Sequence, residues 1–272
     1  MPLPSFDTRW IGNAPTKPRL LVLEVQDRLR QTDHPVGWVA VERVESAERD
    51  QGGTVFRASI VLHYSVIDQY SSFGQGGRFD ASYCGVSNKL SLTSANVSGG
   101  AVFLDPGWLR GHRVGTYLMN EIVCWARQWP QATVNPVSLL EDQAGPRNKL
   151  RRNRFYEQFG LQFDDDDHAH SSGKSRAMPA DALTPVSTWK ENIVEHPVQA
   201  LLAQLLDERR DIQLDVHGLQ NVVREQSKSI DQAERSPWIW AARTWLSRHV
   251  QVIIVVGLGL MLAAGLLAHG RF

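Results

Sequence analysis

Apolar residues recur with two different periods along the chain, and each period predicts a different kind of element. In the first hundred residues, the β-branched run at 54–64 follows a Gly52-Gly53 pair and predicts a strand after a tight turn. The stretch at 35–42 alternates loosely and predicts a neighbouring strand, whereas 20–30 fits a strand or a short helix. The N-terminal part is therefore predicted to be a β-meander.

A strand–helix–strand–helix order follows between residues 99 and 161. A short apolar strand at 101–104 leads through Asp105-Pro106 into a turn at 110–116 that opens a helix. A second strand follows, and then a second helix that carries residues 155–161. Strands first and alternating elements afterwards predict an α+β fold with a mixed sheet.

From residue 198 onward, apolar residues return at heptad spacing over about five heptads, as in a coiled coil. The first set is Leu202, Val216, Val223 and Ile230, interrupted by Arg209, and the second is Leu205, Ile212, Leu219 and Ala233, interrupted by Gln226. We expect a helical stalk that forms a homo-oligomer. The alternative is a single amphipathic helix lying on a membrane or on the domain.

Residues 250–268 form an apolar run without a charged side chain, long enough for a transmembrane helix. Trp238, Trp240 and Trp245 precede it, where an interfacial aromatic belt would lie, and Pro237 would end the stalk. Arginines are concentrated before the run, so we expect a single-pass protein that contacts the lipid bilayer and keeps its N-terminal domain in the cytoplasm. A buried core helix is the alternative.

These patterns predict a domain at 1–165, a linker at 166–189, a stalk at 190–236, an aromatic segment at 237–249 and a membrane span at 250–268. The linker is rich in Ser, Gly, Pro and Ala.

Composition narrows the function classes. The 29 basic and 29 acidic residues cancel, so we expect no nucleic-acid partner. The two cysteines, Cys84 and Cys124, do not make a disulfide framework, and the N-terminus shows no secretory signal.

The turn Arg110-Gly111-His112-Arg113-Val114-Gly115-Thr116 carries the candidate chemistry. Backbone N–H groups at a glycine-bearing helix start suit a phosphate or pyrophosphate. The turn resembles the pyrophosphate signature of the GCN5-related N-acetyltransferase (GNAT) family, Arg/Gln-x-x-Gly-x-Gly/Ala. Arg110 and Gly115 match its ends, and Arg113 replaces its middle glycine.

A second stretch resembles the family's later signature, an Asn and then a helix ending in Tyr-x-x-x-Gly-Phe. Tyr156, Gly160 and Leu161 fit it with Leu for Phe, and Asn148 or Asn153 fits its Asn. The resemblance covers roughly residues 20–163. It implies a GNAT-like acyl-CoA N-acyltransferase fold, acetyl-CoA as co-substrate and a primary amine as acceptor.

The resemblance also implies roles for individual residues. Acetyl-CoA would be bound by Leu104, Arg110, Gly111, His112, Arg113, Val114, Gly115, Thr116 and Asn148 or Asn153. A side chain at 113 is expected to keep a negative φ, and its guanidinium would either cost a backbone contact or add a bond to phosphate. Tyr156 would be the general acid; the alternative is a packed core tyrosine. Candidate bases are Asp105, Asp80, His63 and Glu141.

Two charged stretches have simpler interpretations. Five cations at 147–154 cannot share one helix face and predict a solvated helix, with nucleotide phosphate or anionic lipid as alternative partners. The metal-capable residues at 164–170 predict a solvated acidic loop rather than a metal site. The sequence as a whole predicts a membrane-tethered N-acetyltransferase, and the alternative is a non-catalytic scaffold with the same fold.

Overall fold

The structure is a computed structural model that describes residues 10–11, 14–15, 19–28, 34–67, 75–94, 104–139, 149–165 and 173–269. The chain divides into two compact units, Met1–Leu202 and Ala203–Phe272.

The first unit is built on an eight-stranded mixed sheet. Its strands, in spatial order, are β12 (Met178–Pro179), β8 (Thr133–Val134), β7 (Lys89–Ser91), β6 (Gly76–Cys84), β5 (Val55–Ile67), β4 (Gly37–Arg49), β3 (Leu20–Val25) and β13 (Ile193–Pro197). Two small sheets accompany it, formed by β1 (Trp10–Ile11) with β2 (Ala14–Pro15), and by β10 (Phe163–Asp165), β11 (Gly173–Ser175) and β9 (Ser138–Leu139).

The predicted meander is confirmed. β3 to β7 pair antiparallel with their sequence neighbours, and 20–25 is a strand rather than a helix. The turn between β4 and β5 contains Gly53 at a φ of 84°, and the Asp50 carboxylate accepts a hydrogen bond from the backbone N–H of Thr54. Alternation along β5 buries Ile60, Leu62 and Tyr64 on one face.

A strand–helix–strand unit follows. Helix α1 (Val114–Ala126) connects β7 to β8, and these two strands pair in parallel, as a crossover helix allows. Of the predicted strand at 101–104, Leu104 is not in a strand, and 101–103 lie outside the described residues. Among the described residues, β7 is the last strand before α1. Eleven of the 13 residues of α1 are buried, so this helix closes the core over the sheet.

The segment expected to be a linker at 166–189 contributes strands to the three-stranded and the eight-stranded sheet. β11 pairs with β9 and β10, β12 pairs with β8, and two short 3-10 helices, Ala180–Ala182 and Thr188–Glu191, follow. Trp189 and Ile193 join the core. The first part of the expected stalk is β13, which covers the edge of β3. The sequence pattern does not reveal β11, β12 and β13, because these strands are short and bury few side chains.

Two helices follow β13, and the second unit contains most of the first of them and the described part of the second. Helix α3 spans Val198–Arg235, as the heptad pattern predicted, and none of its 38 residues is buried. Helix α4 spans Pro237–His269. Pro237 is its first residue, where the missing backbone N–H is tolerated, so the predicted break between the helices is confirmed.

The prediction of a transmembrane helix at 250–268 is wrong for the part of the chain that the structure describes. No helix there is both long and apolar enough to cross a bilayer. The apolar run is only part of α4, which begins at Pro237 and also carries the exposed, charged Arg243 and Arg248. The cytoplasmic orientation derived from that run stays an untested prediction.

Candidate functional site

The turn before α1 has a backbone suited to an anion. Gly111 has a φ of 94° and Arg113, the N-cap residue, lies in the left-handed region at a φ of 62°. The N-cap side chain makes no capping hydrogen bond, and the first turn of any helix has N–H groups without intrahelical acceptors. The positive end of the helix dipole therefore coincides with the N–H groups of 114–116.

Arg113 corrects the expectation of a negative φ. A left-handed residue with a side chain costs about 1–2 kcal/mol. Its Nη1 donates to the carboxylate of Glu191 at 2.6 Å and to the carbonyl of Thr188, which offsets that strain. The guanidinium thus ties the turn to the segment before β13.

Arg110 contacts the residues that precede the turn. Its Nε donates to the carbonyl of Leu104 at 2.9 Å, and its Nη2 lies 3.0 Å from the carboxylate of Asp105. The backbone N–H of Asp105 donates to the Tyr64 hydroxyl at 2.9 Å. These bonds hold the residues that lead into the turn. Both arginines of the turn, Arg110 and Arg113, therefore have protein partners.

His112 lies between these two contacts. Its carbonyl accepts a hydrogen bond from Nδ2 of Asn192 at 2.9 Å, and Asn192 is only 2% exposed. The buried Nδ1 of His112 and Oδ1 of Asn192 have no hydrogen-bond partner among the described residues. The turn is therefore attached at two points to the residues just before β13.

The two sequence signatures meet at the first turn of α1. Helix α2 (Lys149–Glu157) packs there, since a Cβ placed on Gly115 would lie 3.6 Å from the Phe155 ring and 3.8 Å from Leu104. Nε2 of Gln158 donates to the Thr116 hydroxyl at 3.4 Å. Gly115 and Thr116 are thus neighbours of Phe155 and Gln158, about forty positions later in the chain. Val114, the first residue of α1, is fully buried and holds the turn against the core.

Tyr156 is almost completely buried, with 7% of its surface exposed. Its ring centroid lies 5.0 Å from that of Phe155 and 5.9 Å from that of Phe163. Burial raises the pKa of Tyr156 to about 12, against a smaller opposing effect of the Arg152 charge. The phenol is therefore protonated at neutral pH, as a hydrogen-bond donor must be.

The basic helix is less solvated than predicted. Arg152 is buried, and its Nε and Nη2 both donate to Oδ1 of Asn153 at 3.1 Å. Asn153 is thus occupied by its neighbour on α2, while the other candidate, Asn148, lies outside the described residues.

The candidate bases do not converge. Asp105 is beside the turn, but its carboxylate is paired with Arg110. His63 and Asp80 point to the sheet face opposite that of Leu62, because side chains alternate along a strand and Asp80 pairs in register with Val61. Glu141 lies outside the described residues. Of the three candidates that the structure describes, Asp105 is therefore the one close to the proposed cofactor turn.

A polar cluster that sequence reasoning missed lies farther along α1. The Tyr117 hydroxyl donates to the Glu195 carboxylate at 2.6 Å, and Nη1 of Arg43 lies 2.6 Å from the carboxylate of Glu121. Burial raises the pKa of Tyr117 well above its usual range, and the charges of Glu121 and Glu195 raise it further. Tyr117 and Glu121 are one helical turn apart, which the sequence shows, but nothing in the pattern connects them to β13.

The described residues contain no group of three or more metal-capable side chains. Of the stretch at 164–170, Asp164 and Asp165 lie in β10 rather than in a loop, and 166–170 lie outside the described residues. No protein-family model matches this chain, and neither a curated protein nor a solved structure shows significant similarity to it.

Proposed function

We propose that the first unit is an acetyl-CoA-dependent N-acetyltransferase that acts on a primary amine. The observation that carries this proposal is the packing of α2 and the residue after it on the first turn of α1. The Phe155 ring lies close to Gly115, Gln158 donates to the Thr116 hydroxyl, and Tyr156 directly follows Phe155 in the chain. Backbone N–H groups in the first turn of α1 would hold the pyrophosphate of acetyl-CoA.

In this reaction the amine nitrogen attacks the thioester carbonyl carbon, a C–N bond forms, and the C–S bond breaks. The thiolate leaves and takes up a proton from water, and the amine loses its extra proton to a base. Asp105 is the candidate base closest to the turn, and release of its pairing with Arg110 would free its carboxylate.

The pKa of Tyr156 limits its part in this chemistry. A phenol with a pKa of about 12 would donate to a thiolate whose usual pKa is about 8.5, so complete proton transfer is uphill by roughly 5 kcal/mol. We therefore propose that Tyr156 donates a hydrogen bond to the departing sulfur without ionising.

Cofactor binding is tested by calorimetry of the full chain with acetyl-CoA. We expect heat of binding for the wild-type chain and for Gly115→Ala, since the added Cβ meets its neighbours at ordinary contact distances. Gly115→Val would crowd the N–H groups and should abolish binding, with circular dichroism as the control for folding. No heat with the wild-type chain at high micromolar acetyl-CoA would contradict the proposal.

Chemistry is tested by Tyr156→Phe in an acetyl-transfer assay. Loss of one hydrogen bond predicts a roughly 3- to 10-fold lower turnover, whereas loss of a full general acid predicts about 100-fold or more. Unchanged turnover would make Tyr156 a packing residue.

The second candidate function is that of a non-catalytic scaffold with the same fold. Both arginines of the turn, Arg110 and Arg113, donate to protein acceptors, which weakens the case for a phosphate contact and favours this alternative. No heat of binding with acetyl-CoA from a correctly folded chain is the outcome that would select it.

A further inference from the structure

The apolar seam of α3 is open along its whole length. Its seven large a and d side chains are between 44% and 66% exposed, and these are Leu202, Leu205, Ile212, Val216, Leu219, Val223 and Ile230. A helix of 38 residues is about 57 Å long, so this is a continuous stripe rather than scattered exposure.

The two polar residues of the seam indicate in which orientation a partner helix would pack against it. Arg209 occupies an a position and Gln226 a d position, placed symmetrically about the point between His217 and Gly218, about one residue from the middle of the helix. In a parallel pair of heptad helices a residues face a residues, whereas in an antiparallel pair a residues face d residues. Orientation therefore decides which side chains meet Arg209.

A parallel pair would place Arg209 against the partner subunit's Arg209. Two guanidinium groups would then share one layer of an apolar seam, which like-charge repulsion and desolvation both oppose. An antiparallel pair centred between His217 and Gly218 instead places Arg209 against the partner's Gln226, whose amide oxygen can accept a hydrogen bond from the guanidinium.

The remaining layers of the antiparallel register are apolar. Each pairs an a with a d side chain: Leu202 with the partner's Ala233, Leu205 with the partner's Ile230, Ile212 with the partner's Val223 and Val216 with the partner's Leu219. A shift of one heptad in either direction would put Arg209 opposite the partner's Leu219 or the partner's Ala233. Both polar residues are satisfied in one register only, which is how seam polar residues specify alignment.

The flanking positions are compatible with the same register. Glu208 faces the partner's Ser229, and Asp215 faces the partner's Val222, so no like charges meet beside the seam. We propose that α3 pairs with α3 of a second copy of this chain as an antiparallel two-stranded coiled coil. This inference is independent of the acetyltransferase proposal.

Orientation is tested by distances between spin labels in the full chain. Cys84 and Cys124 are replaced by Ser, and one cysteine is introduced as Ala203→Cys. In the antiparallel dimer the two labels are separated by about 45 Å along the axis, whereas a parallel dimer brings them within about 25 Å. His217→Cys, at the centre of the register, is the control that gives a short distance in both orientations.

Affinity gives a second test. Gln226→Glu places a carboxylate opposite the partner's Arg209 twice and should lower the dimer dissociation constant on the order of tenfold. In a parallel dimer the same change would put two glutamates in one layer and weaken association. Gln232→Glu is the matched control, since it makes the same chemical change at an exposed position outside the seam and should alter affinity by less than about twofold.

Sedimentation at a series of concentrations gives the dissociation constants, and circular dichroism verifies that each variant is helical. A monomer at all concentrations, an oligomer larger than a dimer, a short distance for the label at 203, or weaker association of Gln226→Glu would each overturn the proposal.

Discussion

Helices α1 and α3 use apolar residues in opposite ways. In α1, 11 of 13 residues are buried by the sheet and its neighbours, whereas in α3 none of 38 residues is buried. Both helices have an apolar face, but among the described residues only the face of α1 is covered by the rest of the chain. The difference teaches that an apolar stripe predicts burial without saying whose surface provides it.

The largest expected effect distinguishes the two helices by cavity formation. Leu118→Ala in α1 removes a fully buried side chain and should lower the free energy of unfolding by about 2–5 kcal/mol, independently of protein concentration. Leu214→Ala in α3 is the matched control, because Leu214 is 63% exposed and outside the seam, and should change it by about 0.5 kcal/mol or less. Urea unfolding measures the loss of free energy of unfolding in both variants. Similar losses would contradict the difference in burial between α1 and α3.

A somewhat smaller effect is expected at the buried ion pair of α1. Arg43→Met leaves the Glu121 carboxylate, only 9% exposed, without its guanidinium partner and should cost about 2–4 kcal/mol. The double variant Arg43→Met/Glu121→Leu should recover most of that loss, since no charge is then stranded. If the double variant is less stable than Arg43→Met, the pair is not what determines stability at this position.

The buried tyrosines predict a pH dependence. A folded-state pKa raised to about 12 at Tyr156 means that the unfolded chain loses its proton first, near the usual tyrosine pKa of about 10. The stabilisation is complete below about pH 10 and is lost as pH rises to about 12, at about 1.4 kcal/mol per pH unit. Tyr156→Phe should lack this loss, so the difference in free energy of unfolding between the wild-type chain and the variant should fall by about 1.4 kcal/mol per pH unit between about pH 10 and 12. A difference that stays constant over this range would show that the phenol is not protected from ionisation.

The smallest expected effect concerns α3, where helix propensity rather than packing should dominate. Gly218 is inside the helix, outside the seam, and no atom would contact a Cβ placed there. Gly218→Ala should stabilise α3 by about 0.5–1 kcal/mol at every concentration. Thermal loss of helical circular dichroism measures it, and an unchanged melting temperature would mean that α3 is limited by something other than propensity.

The periodic elements could be predicted from the sequence, and the contacts between them could not. The meander and α3 repeat their patterns over many residues, so each is determined locally. β13 is five residues long and lies in a segment of polar composition, and its pairing with β3 joins residues about 170 positions apart. Tertiary context alone reveals it.

The candidate site was partly predictable for the same reason. The two signatures indicated Gly115 and Tyr156, and the structure brings their surroundings together. The left-handed conformation of Arg113 depends on Glu191, and the hydrogen bond of Tyr117 depends on Glu195, so neither was visible in the local pattern. The apolar run at 250–268 shows the opposite error. A clear apolar pattern predicted a transmembrane helix, and no helix in the described part of the chain is long and apolar enough to be one.

The absence of a linker between β13 and α3 has a mechanical consequence. β13 ends at Pro197 and α3 begins at Val198, so no slack residue separates strand from helix. Tension applied to α3 would reach the sheet edge directly, first where Pro197 pairs with Leu21 and next at the 2.9 Å contact between His196 and Glu24. The edge strand would therefore bear load before any other part of the sheet, and Asn192 and Glu195 would carry that load to the turn and the middle of α1.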